Sequence, residues 1–563
     1  MAEAQTQGFL KRIEALAYIL AIWSFAVIFL ESIIGVYTNY QKLELYTALA
    51  NIAFLIVVII ARMLRYKTSS RNTLFWLDLF ILILGSLLLF YHAKFVIFFL
   101  LTRQTYFILQ YLIFRSFEGK LYDALTGNPP VTLMLSFAIV ILIGTVLLML
   151  PTASAQGQVT PFTDALFTAT SATCVTGLIV YDTGSYFSLF GQLVILLLLQ
   201  IGGLGIMTIS TAFALIMGRR LTLKLENVMH SVVGEGKRLD VFQLLKNIVV
   251  VTILIEALGA ILLFGVFSQD MSSSQAMYHS IFHSISAFCN AGFSLFSDSL
   301  SGYVDSPLLN ITVSTLILLG GLGFAVMIDL YRYIMRVDRV RKLSLHTKIV
   351  LSMSIALLLI GFITIYVAEY NGVMEGYSVS RRILSSWFQS VTARTAGFNT
   401  INTAGLGPAS ILILIGLMFV GASPGGTGGG IKTTTFAVLV LTVTSMLRGR
   451  KDISLYNRRL SYSNSREATS LITLSAGIIF VVVFLLFLFE QHSFEQLIFE
   501  AISAFGTVGL SMGITNELSG IGRFLITVLM YIGRIGPLTL IYALSMRKRQ
   551  AKLSFAEGKI AIG

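Results

Sequence analysis

The sequence predicts an all-α polytopic membrane protein: four tandem helix–pore-loop–helix repeats around one pore, preceded by an N-terminal four-helix membrane block. Three observations carry this. The 563 residues are 56% hydrophobic and only 12% charged, with mean hydropathy +0.84, whereas soluble domains are about a quarter charged. Apolar runs of about twenty residues, the length that spans a bilayer, recur along the chain. Four short segments end in a small or β-branched pair followed by glycine: Val175-Thr176-Gly177, Asn290-Ala291-Gly292, Thr395-Ala396-Gly397 and Thr507-Val508-Gly509. These glycines are 115, 105 and 112 residues apart. Each segment follows a short amphipathic stretch and lies between two long apolar runs, and an internal period of that size fixes the architecture before any local assignment.

The block at 1–125 has apolar runs at Ile13–Tyr37, Tyr46–Leu64, Leu74–Tyr91 and Phe95–Phe114. The first is too long for a signal-peptide core and has no small-residue cleavage site after it, so it reads as a retained helix. Glu31, Arg62, Arg65, Asp78, Arg103 and Arg115 hint at a voltage-sensor-like bundle. Sensors need several regularly spaced arginines to collect gating charge, so an auxiliary packing bundle is the better reading. Gly127-Asn128-Pro129-Pro130 marks a domain junction.

The repeats follow at 130–220, 240–336, 346–447 and 467–547. In the first, the outer helix is expected at Val131–Leu150, a re-entrant helix at Pro161–Ala172 and an inner helix at Ser188–Ala214. The other re-entrant helices are expected at Gln275–Ala287, Ser380–Thr392 and Phe494–Ala504.

The formal charge is +13, and its placement carries the information. Arg62-Arg65-Lys67-Arg71, Arg219-Arg220-Lys224, Arg336-Arg339-Arg341-Lys342, Arg448-Arg450-Lys451 with Arg458-Arg459, and Arg547-Lys548-Arg549 fall in alternate loops, while Asp298, Asp305, Glu369 and Glu375 lie between them. The positive-inside rule puts the basic loops, and with them both termini, in the cytoplasm. The excess therefore reports topology and contact with anionic membrane lipids, with no nucleic-acid partner. The two cysteines, Cys174 and Cys289, read as buried thiols and not as a disulfide.

A cation crossing a membrane must replace its hydration shell, and rings of backbone carbonyls do so without fixed charge in the path. Glycine allows the dihedrals such a loop needs, and irregular backbone at membrane depth is tolerated where it packs in protein or lines water. Close helix packing by small residues is the competing explanation, but four glycines in register favour the pore.

The strings Ser171-Ala-Thr-Cys-Val-Thr-Gly-Leu, Phe288-Cys-Asn-Ala-Gly-Phe, Thr392-Ala-Arg-Thr-Ala-Gly-Phe and Gly506-Thr-Val-Gly-Leu resemble the filter loops of the Trk/Ktr/HKT potassium transporters, over roughly residues 130–550. The resemblance implies a TrkH/KtrB-like membrane subunit in which Val175, Thr176, Gly177, Asn290, Ala291, Gly292, Thr395, Ala396, Gly397, Thr507, Val508 and Gly509 supply carbonyls to a potassium filter. Glycine in all four loops goes with potassium in that family, and serine in the first loop with sodium-selective members; this chain has Gly177.

A second constellation, Gly421-Ala-Ser-Pro424-Gly425-Gly426-Thr-Gly428-Gly429-Gly430-Ile-Lys432, interrupts the inner helix of the third repeat, because proline and clustered glycines cannot continue a helix. It is not a phosphate-binding loop, which needs glycine directly before lysine and a strand–loop–helix setting. An unwound segment in a cavity under the filter is a movable barrier, and it resembles the intramembrane gate loop of the same family. Lys432 could brace that loop or line the cytoplasmic vestibule. Arg534 lies inside an apolar span, where an arginine is costly and faces a bundle interior or cavity. The resemblance places it in the pore, as an electrostatic barrier hydrogen-bonded to gate-loop carbonyls when closed. Gly202-Gly203-Leu204-Gly205 and Gly320-Gly321-Leu322-Gly323 either thin the inner helices around the pore or serve close packing.

His279 and His283 have metal-ligand spacing on a re-entrant helix, but no third ligand accompanies them. No set of acids and histidines at membrane depth supports an enzyme. The expected function is potassium uptake across the cytoplasmic membrane, down the electrochemical gradient; the alternative is a sodium-permeable or sodium-coupled transporter of the same fold. Potassium is the transported ion, bound in the filter, and no organic cofactor is expected in this chain. The resemblance also implies a homodimer with one pore per subunit and a TrkA/KtrA-like cytosolic ring of nucleotide-binding regulatory subunits on the basic inner loops.

Overall fold

A computed structural model describes residues 129–205, 241–336, 342–450, 452–537 and 539. The block expected at 1–125 lies outside them, as do the basic clusters at 62–71, 219–224 and 547–549.

The described chain forms four groups of helices. The first holds α1 (Pro129–Met149), α2 (Phe162–Thr173) and α3 (Leu189–Leu204). The second holds α4 (Val241–Phe267), α5 (Ser273–Phe288), α6 (Pro307–Leu322) and α7 (Phe324–Ile334). The third holds α8 (Leu345–Ala368), α9 (Val379–Thr392), α10 (Pro408–Phe419) and α11 (Thr433–Leu447). The fourth holds α12 (Tyr462–Phe489), α13 (Phe494–Gly506) and α14 (Gly520–Ile535).

Two kinds of helix arise from two kinds of sequence. Three stretches, Asn247–Phe267, Leu345–Ala368 and Tyr462–Phe489, are long and apolar enough to cross a membrane, and a fourth is added if α6 and α7, bent by 104°, count as one. Their outward residues stay bare, with Ile261 68%, Val367 69% and Phe480 72% exposed. Such faces suit hydrocarbon, which cannot satisfy a free backbone group. The short helices α2, α5, α9 and α13 mix small and hydroxyl residues with aromatics and are buried over half of their length or more, mainly toward their C-terminal ends. Two of them start on a local side-chain cap: Ser493 and Gln496 form a capping box on α13, and Ser378 accepts from the Arg381 N–H at α9.

The groups close into a cycle. Within each, the first helix packs along the short one. Between groups, α3 packs on α5, α6 on α9, α10 on α13 and α14 on α2. The seams are apolar: Phe167, Leu199, Phe505 and Ile526 share one buried cluster, Phe288, Ile317, Phe388 and Phe398 a second, and Leu414, Met418, Phe499 and Leu510 a third. Polar ties cross the same seams. Tyr278 donates to Gln192 Oε1 (2.8 Å) and Leu300 N–H to the Asn399 carbonyl (2.9 Å). Arg523 on α14 pairs with Asp164 on α2 at 2.6 Å, which also accepts from Tyr181 (2.8 Å). That pair joins the last group to the first across 359 residues of chain.

Two expectations need correction. The first inner helix does not run to Ala214; it stops at Leu204, because Gly205 takes φ +81°. Matching breaks follow at Gly323 (φ +91°) and Gly536 (φ +89°), so the interruption is not confined to the third group. The described chain is also not purely α: β1 (Ser454–Leu455) and β2 (Arg458–Arg459) form a hairpin whose turn residues Tyr456 and Asn457 both have positive φ, the dihedrals of a tight two-residue hairpin loop.

The Asp164 carboxylate is buried and Arg523 nearly so, so removing either partner strands a charge. Asp164→Asn or Arg523→Gln is expected to cost roughly 2 kcal/mol, read as a fall of several degrees in the melting temperature of the detergent-solubilised protein. The exchanged pair Asp164→Arg with Arg523→Asp should recover part of that loss. Equal melting of wild type and single variants would show that the seam is held by its apolar contacts alone.

Candidate functional site

Each short helix ends at one of the four glycine loops, and the loops share a backbone signature. Val175, Asn290, Thr395 and Thr507 have φ of 57°, 59°, 74° and 51°, and two residues on Gly177, Gly292, Gly397 and Gly509 have φ of 96°, 69°, 77° and 92°. Left-handed dihedrals at β-branched Val and Thr are disfavoured and persist only where the surroundings impose them. Here the backbone is tied to the helix before it. The N–H groups of Thr176, Ala291 and Val508 donate to the carbonyls of Ser171, Ser286 and Ser503 at 2.8, 2.8 and 2.9 Å, and Ala396 N–H to Thr392 at 2.9 Å. The same residues act again through their side chains. Ser171 and Ser503 hydroxyls accept from the Gly177 and Gly509 N–H groups (both 3.1 Å), while Ser286 and Thr392 donate to the carbonyls of Phe293 (2.7 Å) and Phe398 (2.8 Å).

The loops meet in a ring. A Cβ on Gly177 would stand 2.5 Å from the Ala291 carbonyl oxygen, on Gly292 2.6 Å from that of Ala396 and on Gly397 2.5 Å from that of Val508; on Gly509 it would be closer still to Thr176. Each glycine therefore abuts the next loop, and the fourth returns to the first. Thr176, Ala291, Ala396 and Val508 are fully buried. Asn290 and Thr395 also touch through their side chains: with the amide oxygen toward Thr395 Oγ1 (3.1 Å), its nitrogen donates to Ala287 (3.2 Å) and Ile317 (3.1 Å). Four helix C-termini end at this ring and bring partial negative charge to it.

The segment between α10 and α11 lies directly under the ring. Val420 and Ile431 bridge at its neck, where Gly421 N–H donates to the Ile431 carbonyl (2.9 Å). From there the second, third and fourth groups hold it directly. Thr427 donates from its N–H to Gly320 (3.0 Å) and from its hydroxyl to Phe288 (3.2 Å). Gly429 N–H donates to Thr507 Oγ1 (2.9 Å), Gly430 N–H to Gly533 (3.2 Å), and a Cβ on Gly428 would collide with Thr395 Oγ1. Ser423 N–H reaches Gly321 (3.0 Å), and the Gly425 carbonyl beside Pro424 accepts from Phe324 N–H (3.2 Å), with Gly426 against Gly320 and Gly321.

Arg534 lies just before a break in the helix that carries it. It occupies the last turn of α14, ended by Gly536. Its two terminal nitrogens donate to the carbonyls of Thr427 and Gly202, so it clamps the segment to the end of α3. Lys432 braces the segment from within, Nζ to the Gly428 carbonyl at 2.8 Å. The inner-helix glycines serve close packing: side chains at Gly202, Gly320 and Gly533 would strike the carbonyls of Thr173, Phe288 and Phe505 at the ends of the short helices.

Sequence reasoning missed several participants. Thr427 makes more ties than the glycines around it. The anchoring serines occur as Ser-Ala six residues before the glycine in three loops (Ser171, Ser286, Ser503), a repeated signal that was there to be read. Arg394 stands where the other loops carry Cys174, Cys289 and Gly506; it is buried and donates to the Gly421 carbonyl at 3.1 Å, the neck of the segment. Both cysteines are buried and free. Both ring nitrogens of His283 are engaged, by the His279 carbonyl (2.8 Å) and by Ser294 (3.0 Å).

A family model described as TrkH, cation transport protein, matches residues 103–554. The chain is similar to Ktr system potassium uptake protein B of Vibrio alginolyticus, 40% identical over 79% of this chain and 97% of that one. It is 39% identical to the Bacillus subtilis protein of that name, over 79% and 99%, and 36% identical to potassium/sodium uptake protein NtpJ of Enterococcus hirae, over 77% and 97%. In fold it is similar to the potassium transporter TrkH of Vibrio parahaemolyticus (TM-score 0.58, 16% identity, covering 90% of this chain and 99% of that one).

If Arg534 clamps the segment, freeing it should expose Thr427. With Cys174 and Cys289 replaced by alanine, Thr427→Cys is expected to react with a small cationic thiol reagent about tenfold faster when Arg534→Ala is added, the effect of one charge-assisted hydrogen bond. Equal rates with and without Arg534 would remove the clamp.

Proposed function

The chain belongs to the TrkH family of cation transport proteins, and from that membership we propose that it takes up potassium through a single pore lined by its four glycine loops. One observation carries the reading: four loops of equal backbone conformation close head to tail, each glycine set against the backbone carbonyl of the next loop. Alternating left-handed and ordinary dihedrals turn successive carbonyls toward one side, so Val175-Thr176-Gly177 and its three counterparts can present oxygens that replace an ion's water. The names of the two Ktr relatives, at 39% and 40% identity, favour potassium. No chemical step is required: an inside-negative potential draws a monovalent cation inward with about 2.3 kcal/mol per 100 mV. The family is one of membrane transporters and not of enzymes.

In the same reading the segment from Gly421 to Lys432 is a gate. It fills the space under the ring, and Arg534 both holds it and sets a positive charge in the ion's path. Opening requires breaking the Arg534 contacts to Thr427 and Gly202 and withdrawing Gly428 and Gly429 from Thr395 and Thr507. The subunit works in the cytoplasmic membrane with both termini inside, as a homodimer, and takes its opening signal from a cytosolic nucleotide-binding ring. The names of the two Ktr system relatives support a multi-component system. The basic linker holding Arg448, Arg450, Arg458 and Arg459, with its hairpin, supplies an exposed docking face.

A second reading, sodium permeation or sodium coupling through the same pore, is favoured by the name of the Enterococcus relative. Growth of a potassium-uptake-deficient host at low external potassium separates the two. Wild type, co-expressed with its cytosolic partner, should rescue growth and Gly292→Ser should not, with equal membrane insertion. Rescue that needs added sodium would favour the second reading. Rescue by both proteins would remove Gly292 from the path.

A further inference from the structure

The position nine residues before each ring glycine is occupied by Thr168, His283, Phe388 and Glu500, and the position two after it by Ile179, Ser294, Asn399 and Ser511. In two of the four groups the structure joins these positions by a polar strut behind the loop. In the second group the His279 carbonyl can only accept, so the His283 Nδ1 carries the proton (2.8 Å) and Nε2 faces outward as an acceptor. It meets Ser294 Oγ at 3.0 Å and receives the Leu295 N–H at 3.4 Å. In the fourth group the Glu500 carboxylate accepts from Thr515 Oγ1, which stands 3.0 Å from Ser511 Oγ. His283 and Glu500 are fully buried, Thr515 is 4% and Ser294 8% exposed. Glu500 Oε2 has no hydrogen-bond partner among the described residues.

The other two groups lack the strut. Thr168 Oγ1 has no partner among the described residues, Ile179 at the second position has no polar side chain, and Phe388 is apolar. Their outer limbs are held from elsewhere: Tyr181 by Asp164, and Asn399 by the Ser299 hydroxyl (3.0 Å). A buried carboxylate and a buried imidazole at equivalent places, in groups opposite one another around the ring, are costly features. The packing of the short helices does not need them, because Phe388 fills the same place without a polar group.

We propose that His283 and Glu500 are positioning residues that set ion preference, each fixing the outer limb of its loop through Ser294 or through Thr515 and Ser511. They touch no ion. They stiffen two opposite walls of the ring, so that the carbonyls cannot close inward around an ion smaller than potassium. This inference rests on the pore reading above, and its test separates the two.

The measurement is uptake of potassium and of sodium by the full-length protein in reconstituted vesicles with its cytosolic partner, giving KM and maximal rate for each ion. His283→Phe and Glu500→Leu, and from the other end Ser294→Ala and Thr515→Val, should each lower the potassium-over-sodium preference by roughly fivefold, the weight of one ordinary hydrogen bond. The change should appear in KM more than in maximal rate. His283→Gln and Glu500→Gln keep an acceptor at the end of the side chain and should restore most of the preference. Thr168→Val, at the same place in a group without a strut, should leave it unchanged. Wild-type preference in inserted strut variants, or an equal shift in Thr168→Val, would overturn the proposal. Gly509→Ala is run in parallel: if it too keeps wild-type preference, the pore reading itself fails, whereas a shift there with none in the strut variants removes the struts alone.

Discussion

No side chain fits between a ring glycine and the loop that follows it, since a Cβ would stand 2.6 Å or less from the neighbouring carbonyl oxygen in all four places. The four close approaches are a backbone requirement, and the rest of the centre is arranged to meet it. Short helices must end where the loops begin, because the loops take their hydrogen bonds from the last turn. Those helices must be buried, so they need long apolar helices around them. The long helices must in turn come close to the short helix ends, which is why Gly202, Gly320 and Gly533 face the carbonyls of Thr173, Phe288 and Phe505. A larger residue at any of these sites would push an inner helix outward and open the ring from behind.

The inner helices break immediately below the ring, and the breaks have a second use. Carbonyls at a helix end have no partner within the helix, so they are free to accept from something else. Gly320 and Gly321 accept from Thr427 and Ser423, Gly533 accepts from Gly430, and Gly202 accepts from Arg534. The segment between α10 and α11 is thus held by hydrogen bonds that continuous helices would have kept for themselves. Its own composition is consistent with that role: glycines lie flat against the second and fourth groups and against Thr395 of their own, and the Thr427 side chain reaches across to Phe288.

Membership of the membrane class and the ring glycines were legible because both are written in residue type: hydropathy in long runs, glycine at a near-constant spacing. The break at Gly205 was not, since Gly-Gly-Leu-Gly reads equally as a packing face, and only the neighbours decide that Gly205 turns left-handed. For the same reason Arg534 seemed to lie within a continuous helix, when that helix breaks at Gly536, two residues after it. The anchoring serines were hidden by their ordinariness, being one of several hydroxyls on each short helix. His283 and Glu500 were hidden by the habit of pairing titratable residues along the chain: their partners lie 11 and 15 residues away across a loop.

Carrying the four groups on one chain lets equivalent places hold different residues, and this molecule uses that freedom below the ring more than in it. At the place three before the glycine, two groups carry Cys174 and Cys289, one carries Gly506, and the third carries Arg394, whose guanidinium reaches Gly421 at the neck of the segment. Gly506 is small for a reason of its own, since a Cβ there would meet the Met418 carbonyl at the end of α10. The segment itself belongs to one group only. Four such loops could not occupy the space that one already fills, with Gly428 against Thr395, Gly429 against Thr507 and Thr427 against Phe288. Near-symmetry is therefore kept where carbonyls must surround one axis, and given up where a single element must be held there and released.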